Sequence, residues 1–267
     1  MTNPRSPSAG RVAFVGAGPG QADLITVRGA QRLAEARVVL VDALVDPELR
    51  ALAPQARWLH VGKRGYTDST TQEAINALLV KCAFDVGPGG LVVRLKGGDP
   101  SVFGRLEEEL QAMTEAGIAC EVVPGVTAAL AAAASAQRPL TRRGTGRSVS
   151  FATAMTATAC HAGDTPGASR HADTEVFYMA GKQLAALARQ LIAAGWPAHT
   201  DACVTSRAGW PDELRSDHRL ATLGRASMLH AGRPTVVVIG AGARSLNTST
   251  PPAQADIPAL QRVGAST

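Results

Sequence analysis

The chain has 267 residues, 45% hydrophobic and 18% charged, with a mean hydropathy of +0.03, the composition of a globular protein with room for one large domain or two modest ones. No apolar run approaches the roughly 20 residues that cross a bilayer, and MTNPRSPSAG lacks the apolar centre of a secretory signal. The net charge of +5 suits a polyanionic partner, but with 4% aromatic residues there are few platforms on which nucleic-acid bases could stack.

A cytoplasmic protein that binds neither membrane nor nucleic acid is therefore expected. Cys82, Cys120, Cys160 and Cys203 form no CxxC pair, so reduced structural thiols and no metal site are expected.

In chain order, residues 1–10 read as a disordered tail. RVAFVG (11–16) reads as a buried strand opening a glycine-rich turn, followed by a helix over 26–36 and a strand at 37–41. Asp46-Pro47 has the form of an N-cap with proline at the first helical position. RWLHVG (57–62) is a third strand, and Thr70-Thr71-Gln72-Glu73 fits a capping box before AINALLVKCA. LVVRL (91–95) is a fourth strand, with GGDP directly after it. The next helix runs to about residue 116 and stops at Gly117. A fifth strand at 119–123 leads through PGVT into an alanine-rich helix.

Apolar strands alternating with helices predict an α/β fold with a parallel sheet covered on both faces. PLTRRGTGRS (139–148) breaks the rhythm and divides a domain over 11–140 from a second α/β domain over 147–243. Strands of the second domain are expected at 148–153, 175–179, 202–206 and 235–240. The polar stretch 154–173 reads as a loop, and the Ser/Thr/Pro-rich 244–267 as a disordered tail.

Three motifs sit at strand ends. Gly16-Ala17-Gly18-Pro19-Gly20, with Asp42 closing the second strand, has the outline of a dinucleotide fold. Its spacing is GxGxG, however, and Pro19 removes an N–H that a pyrophosphate would use. A plain strand-to-helix turn, or a nicotinamide enzyme, remains open from this motif alone. In Arg94-Leu95-Lys96-Gly97-Gly98-Asp99-Pro100 the glycines expose backbone to a ligand, while Asp99 offers an acceptor or a turn-stabilising contact. In Val122–Ala129, Thr127 is placed to cap a helix.

The order of VGAGPGQADLITVRGAQRL, VGKRG, VVRLKGGDPSVFGR, VVPGVTAA and PLTRR resembles the uroporphyrinogen-III C-methyltransferases of the tetrapyrrole methylase family, over about residues 11–243. The resemblance implies two α/β domains with S-adenosylmethionine in the cleft between them, in a homodimer. It implies two methyl transfers to uroporphyrinogen III, giving precorrin-2 for siroheme, cobalamin or haem d1 synthesis. A later precorrin methyltransferase of the same fold and a catalytically degenerate paralog are the alternatives.

Carried over by motif, the implied cofactor contacts are Pro19, Gly97, Gly98, Asp99, Val102, Thr127, Ala128, Met179 and Ala208. Asp42 is the implied base, Lys63 the implied proton donor, and Arg105 a further catalytic candidate. Arg105, Glu108 and Arg143 are the implied substrate contacts, the two arginines as holders of ring carboxylates, for which the planar fork is suited. Arg138, Arg142 and Arg147 lie near Arg143 in sequence, and Arg147 reads as a solvated surface charge. The pattern departs from the family at Ser101, at Leu106-Glu107, at Arg142, at Thr153-Ala154-Met155, at Ala180 and at Ala208, mostly on the tetrapyrrole side.

Overall fold

The structure, a computed structural model, describes residues 8–61, 71–154, 172–246 and 261–262. The chain divides into two compact units, 1–127 and 128–267.

The first unit is built on a five-stranded, all-parallel sheet in the order β3-β2-β4-β1-β5. Its strands are β1 (Arg11–Gly16), β2 (Val38–Val41), β3 (Arg57–His60), β4 (Leu91–Lys96) and β5 (Cys120–Val123). Side chains alternate between faces. Ala13, Val15, Val39, Val41, Val93 and Leu95 meet Leu33 of α1 (Val27–Glu35) on one face. Val12, Phe14, Val38, Leu40 and Val92 meet Leu79 of α2 (Gln72–Val86) and Met113 of α3 (Leu106–Glu115) on the other. The helices start where the capping residues fall. Thr26 Oγ1 accepts from Gly29 N–H at 3.1 Å and Thr71 Oγ1 from Ala74 N–H at 3.2 Å. Asp46 and Pro47 open a 3₁₀ turn rather than an α-helix.

Adjacent strands β1 and β4 send their helices to opposite faces. This makes a switch point, and in such sheets the crevice beyond the strands' carboxyl ends is the usual place for a ligand.

The second unit carries α4 (Ala128–Ser135), α5 (Leu184–Ala193) and the short α6 (Ala226–Leu229). Its sheet runs β11-β9-β8-β10-β7-β6. Strands β6 (Val149–Thr153), β7 (Thr174–Tyr178), β8 (Asp201–Ser206) and β10 (Thr235–Gly240) lie where the sequence places them. Two more join them, β9 (Leu214–Arg219) and β11 (Gln261–Arg262). LRSDHR carries no apolar alternation, and β9 is held by antiparallel pairing to β8. Among the described strands of this sheet, only β6 and β7 pair in parallel.

Helix α4, which the sequence rhythm attaches to the first domain, packs on β10 and belongs to the second unit. The expected tails shrink in the same way. Gly10 N–H donates to Ala83 O at 2.7 Å, and Gln261–Arg262 pairs with β9. Residues 1–7, 247–260 and 263–267 of the expected tails, and most of the expected loop over 154–173, lie outside the described residues. No helix among the described residues is long and apolar enough to cross a membrane.

Candidate functional site

In the first unit, the three strand-end motifs form one joined structure. Ala17 N–H donates to Lys96 O at 2.8 Å, and Gly18 and Gly98 exchange backbone hydrogen bonds at 3.2 and 2.9 Å. Asp99 closes the assembly. Its Oδ1 accepts from Ser101 N–H at 2.7 Å and its Oδ2 from Gly125 N–H at 2.8 Å. Of the two roles open to Asp99, the turn-stabilising one is therefore in place, and the residue also fastens the GGDP loop to the PGVT loop. Glycine is required where these loops meet. A Cβ on Gly16 would stand 2.6 Å from Gly125 Cα, and one on Gly125 would overlap Gly98 O. Gly98 has φ +73°, and a Cβ there would point into space with nothing nearer than Val126 O at 3.9 Å. The Cβ side of Gly98 is therefore open, and backbone there can be approached closely.

Pro19 is buried in the first loop, and Gly97 lies against Leu44. Val102 continues the turn, its N–H donating to Asp99 O at 3.3 Å. Thr127 is buried and is the last residue of the first unit, and Ala128 opens α4.

Asp42 stands at the carboxyl end of β2 with its side chain 29% exposed. Its Oδ1 accepts from Arg94 Nη2 at 2.6 Å. Arg94 is buried on β4, and its Nε donates to Glu109 Oε1 at 2.9 Å. Lys96 Nζ donates to Glu109 Oε2 at 2.6 Å. Burial works against the charge on Arg94, but Asp42 and then Glu109 outweigh it and raise its pKa. Burial, reinforced by the charge of Arg94, lowers that of Lys96. Sequence reasoning named Arg94 and Lys96 within the strand-end motif without giving them a role, and passed over Glu109. The signal lay in strand periodicity: 92, 94 and 96 share a face, so two cations follow Val92 into a buried layer that must supply an anion.

Arg105 and Glu108 lie together on the exposed start of α3, joined by two hydrogen bonds. Arg105 itself has φ +54°, as does Phe103 two residues earlier. Non-glycine residues in this region cost conformational energy and cluster at functional sites. Lys63 lies outside the described residues.

Within the second unit the strand ends carry the same mark. Met179, directly after β7, has φ +56° and is 45% exposed. Arg207, directly after β8, has φ +52° and precedes the buried Ala208. Of the nearby arginines, Arg138 is buried and forks onto Asp217 of β9, with Nη2 to Oδ2 at 2.7 Å. Arg142 donates to Arg244 O. Arg143 and Arg147 are both exposed.

The sequence profile of the Tetrapyrrole (Corrin/Porphyrin) Methylases matches residues 11–224. A siroheme synthase of Yersinia pseudotuberculosis is 44% identical over 232 residues, covering 86% of this chain and 48% of the relative. The chain thus spans about half the length of several curated relatives it matches. A uroporphyrinogen-III C-methyltransferase of Paracoccus denitrificans is 42% identical over 220 residues, 81% of this chain and 75% of the relative. A crystal structure of the uroporphyrin-III C-methyltransferase of Thermus thermophilus with S-adenosylhomocysteine superposes with a TM-score of 0.72. It is 35% identical, over 86% of this chain and 97% of that one. A cobalt precorrin-4 methyltransferase superposes with a TM-score of 0.76 at 28% identity, over 88% of this chain and 96% of that one.

Proposed function

Because this chain belongs to the tetrapyrrole methylase family, we propose that it transfers methyl groups from S-adenosylmethionine to two carbons of uroporphyrinogen III, giving precorrin-2. The observation that carries this reading is the joined assembly of GAGPG, GGDP and PGVT loops at the switch point of the sheet, with the Cβ side of Gly98 left open. The relatives named for this activity, at 42% identity in one case, support the choice of substrate.

Pro19, Gly97, Gly98, Val102 and Thr127 of the first unit are the candidates to hold the cofactor, as are Ala128, Met179 and Ala208 of the second. Asp99 acts by fixing the loops. When bound, S-adenosylmethionine supplies an already activated methyl group.

The protein's own work is alignment and proton handling. The reduced macrocycle is an electron-rich carbon nucleophile, and it must lose a proton as its double bonds rearrange. Asp42 takes that proton at Oδ2, because Oδ1 is committed to Arg94. Lys63, the candidate proton donor, protonates a ring carbon during tautomerisation while a second ring proton leaves to solvent, so that each methyl transfer releases one proton net. Arg105 and Arg143 hold ring carboxylates as charge-assisted pairs, with Glu108 beside them. The protein works as a homodimer in the cytoplasm, in the branch leading to siroheme, cobalamin or haem d1.

The test is anaerobic incubation with uroporphyrinogen III and S-adenosylmethionine, followed by mass analysis. A doubly methylated product is expected. Turnover only of later precorrins would replace the substrate assignment. Cofactor and tetrapyrrole binding without any product would mark a non-catalytic paralog.

A further inference from the structure

The charged residues buried beneath the proposed site form a single chain of alternating sign. It runs from Asp42 to Arg94, Glu109 and Lys96 through contacts of 2.6, 2.9 and 2.6 Å. Arg94, Glu109 and Lys96 have side chains 3%, 0% and 4% exposed, whereas that of Asp42 is 29% exposed. Burying charges costs several kcal/mol per ion, and well-packed apolar residues often serve stability as well or better. A cluster that only filled the core would need no open end. This one has such an end, and it lies beyond the sheet's carboxyl edge on β2.

The other end supports the Arg105 turn. Glu109 lies on α3, four residues after Arg105. Lys96 passes under Gly104, where an added Cβ would stand 3.1 Å from Lys96 Cε. Gly104 lies between the two left-handed residues Phe103 and Arg105. Arg94 is built for the bridge. Its Nε and Nη2 point at two different carboxylates, and its Nη1 lies 3.4 Å from Leu40 O and Leu95 O. A lysine ammonium at this position could not span both acids in fixed geometry.

We propose that Arg94 is the positioning residue for Asp42, and that Glu109 holds Arg94 in that role, so that one buried ion chain sets both the strand-end carboxylate and the turn carrying Arg105. The proposal rests on the reading of Asp42 as the proton acceptor.

The test is a double-mutant cycle on the full chain, with single-turnover methylation and cofactor calorimetry as readouts. Arg94→Lys keeps the charge and loses the fork. It is expected to lower the methylation rate by about 10- to 100-fold, part of what losing a general base costs, with cofactor affinity changed by less than about threefold. In an Asp42→Asn background the same substitution is expected to cost less than about threefold more, because its effect passes through Asp42. Where Arg94→Lys does not fold, the isosteric Glu109→Gln replaces it, with a smaller loss and the same dependence on Asp42. Equal losses in both backgrounds, or a near wild-type rate for the folded variant, overturn the proposal while the methyltransferase reading stands. A wild-type chain that methylates no tetrapyrrole overturns that reading, and the proposal with it.

Discussion

Arg105 grips the carboxylate of Glu108 with two hydrogen bonds, Nε to Oε1 at 2.7 Å and Nη2 to Oε2 at 2.6 Å. The guanidinium fork proposed to hold a substrate carboxylate is thus already engaged by a carboxylate one turn along its own helix. Each partner reinforces the other's charge: the hydrogen bond to Glu108 raises the pKa of Arg105, and the hydrogen bond from Arg105 lowers that of Glu108.

If the fork serves the substrate, Glu108 competes with it. Glu108→Gln is expected to tighten tetrapyrrole binding at low salt, whereas Arg105→Ala weakens it by roughly tenfold and Arg105→Lys by less, since the ammonium keeps charge but not the planar fork. Cofactor affinity should not move in any of the three. Equilibrium binding of a uroporphyrin measures this. Unchanged affinity in Arg105→Ala would remove Arg105 from the substrate site, and weaker binding in Glu108→Gln would make Glu108 a contact rather than a competitor.

Gly98 offers a cleaner probe of the proposed cofactor site. An alanine there meets no atom within 3.9 Å, so its stability cost is that of the left-handed backbone, about 1–2 kcal/mol. The new methyl group projects into that open side. Gly98→Ala is expected to stay folded and to lose at least about tenfold in S-adenosylmethionine affinity. Calorimetry showing wild-type affinity would place the cofactor elsewhere.

Asp99 is predicted to act on the same affinity from behind. Its two oxygens hold two loops through Ser101 and Gly125, and an asparagine can accept with only one of its two terminal atoms. Asp99→Asn should lower stability by about 1–3 kcal/mol, the cost of a disrupted charge-assisted hydrogen bond, and weaken cofactor binding with it. Thermal unfolding with and without cofactor separates the two effects. A variant with normal stability and weak binding would instead make Asp99 a direct ligand contact.

The parallel first sheet was legible because its strands are short apolar runs and its helices begin at Thr26 and Thr71, the capping residues the sequence offers. The strand-end loops were legible from glycines at positions where a Cβ collides. Strand β9 was not, because hairpin pairing to β8 holds a polar segment that periodicity cannot detect. The ion chain under Asp42 was half legible. Arg94 and Lys96 could be placed on a buried face by counting, but their partner Glu109 is one of three consecutive glutamates. Only the packing of α3 on the sheet selects which of the three turns inward.

The second unit contains a buried histidine that should govern acid stability. His230 is fully buried, with Nδ1 2.8 Å from Ser206 Oγ and Nε2 2.8 Å from Ser216 Oγ. Ser216 Oγ also meets His218 Nε2, and Arg233 Nε donates to Ser206 Oγ. Burial, with the charges of His218 and Arg233 adding to it, depresses the His230 pKa to about 4. In the unfolded chain an imidazole titrates near 6.5. Between these values the unfolded state binds a proton that the folded state refuses, so stability rises with pH across this window. The contribution is complete above about pH 6.5 and is lost as pH falls through about 4, to the extent of about 3 kcal/mol. His230→Gln cannot take up that proton, so its stability should vary less over the same range while being lower at neutral pH. Urea unfolding of both proteins at several pH values between 4 and 7 measures the difference. Parallel curves would show that the acid sensitivity comes from carboxylates and that His230 stays neutral in both states.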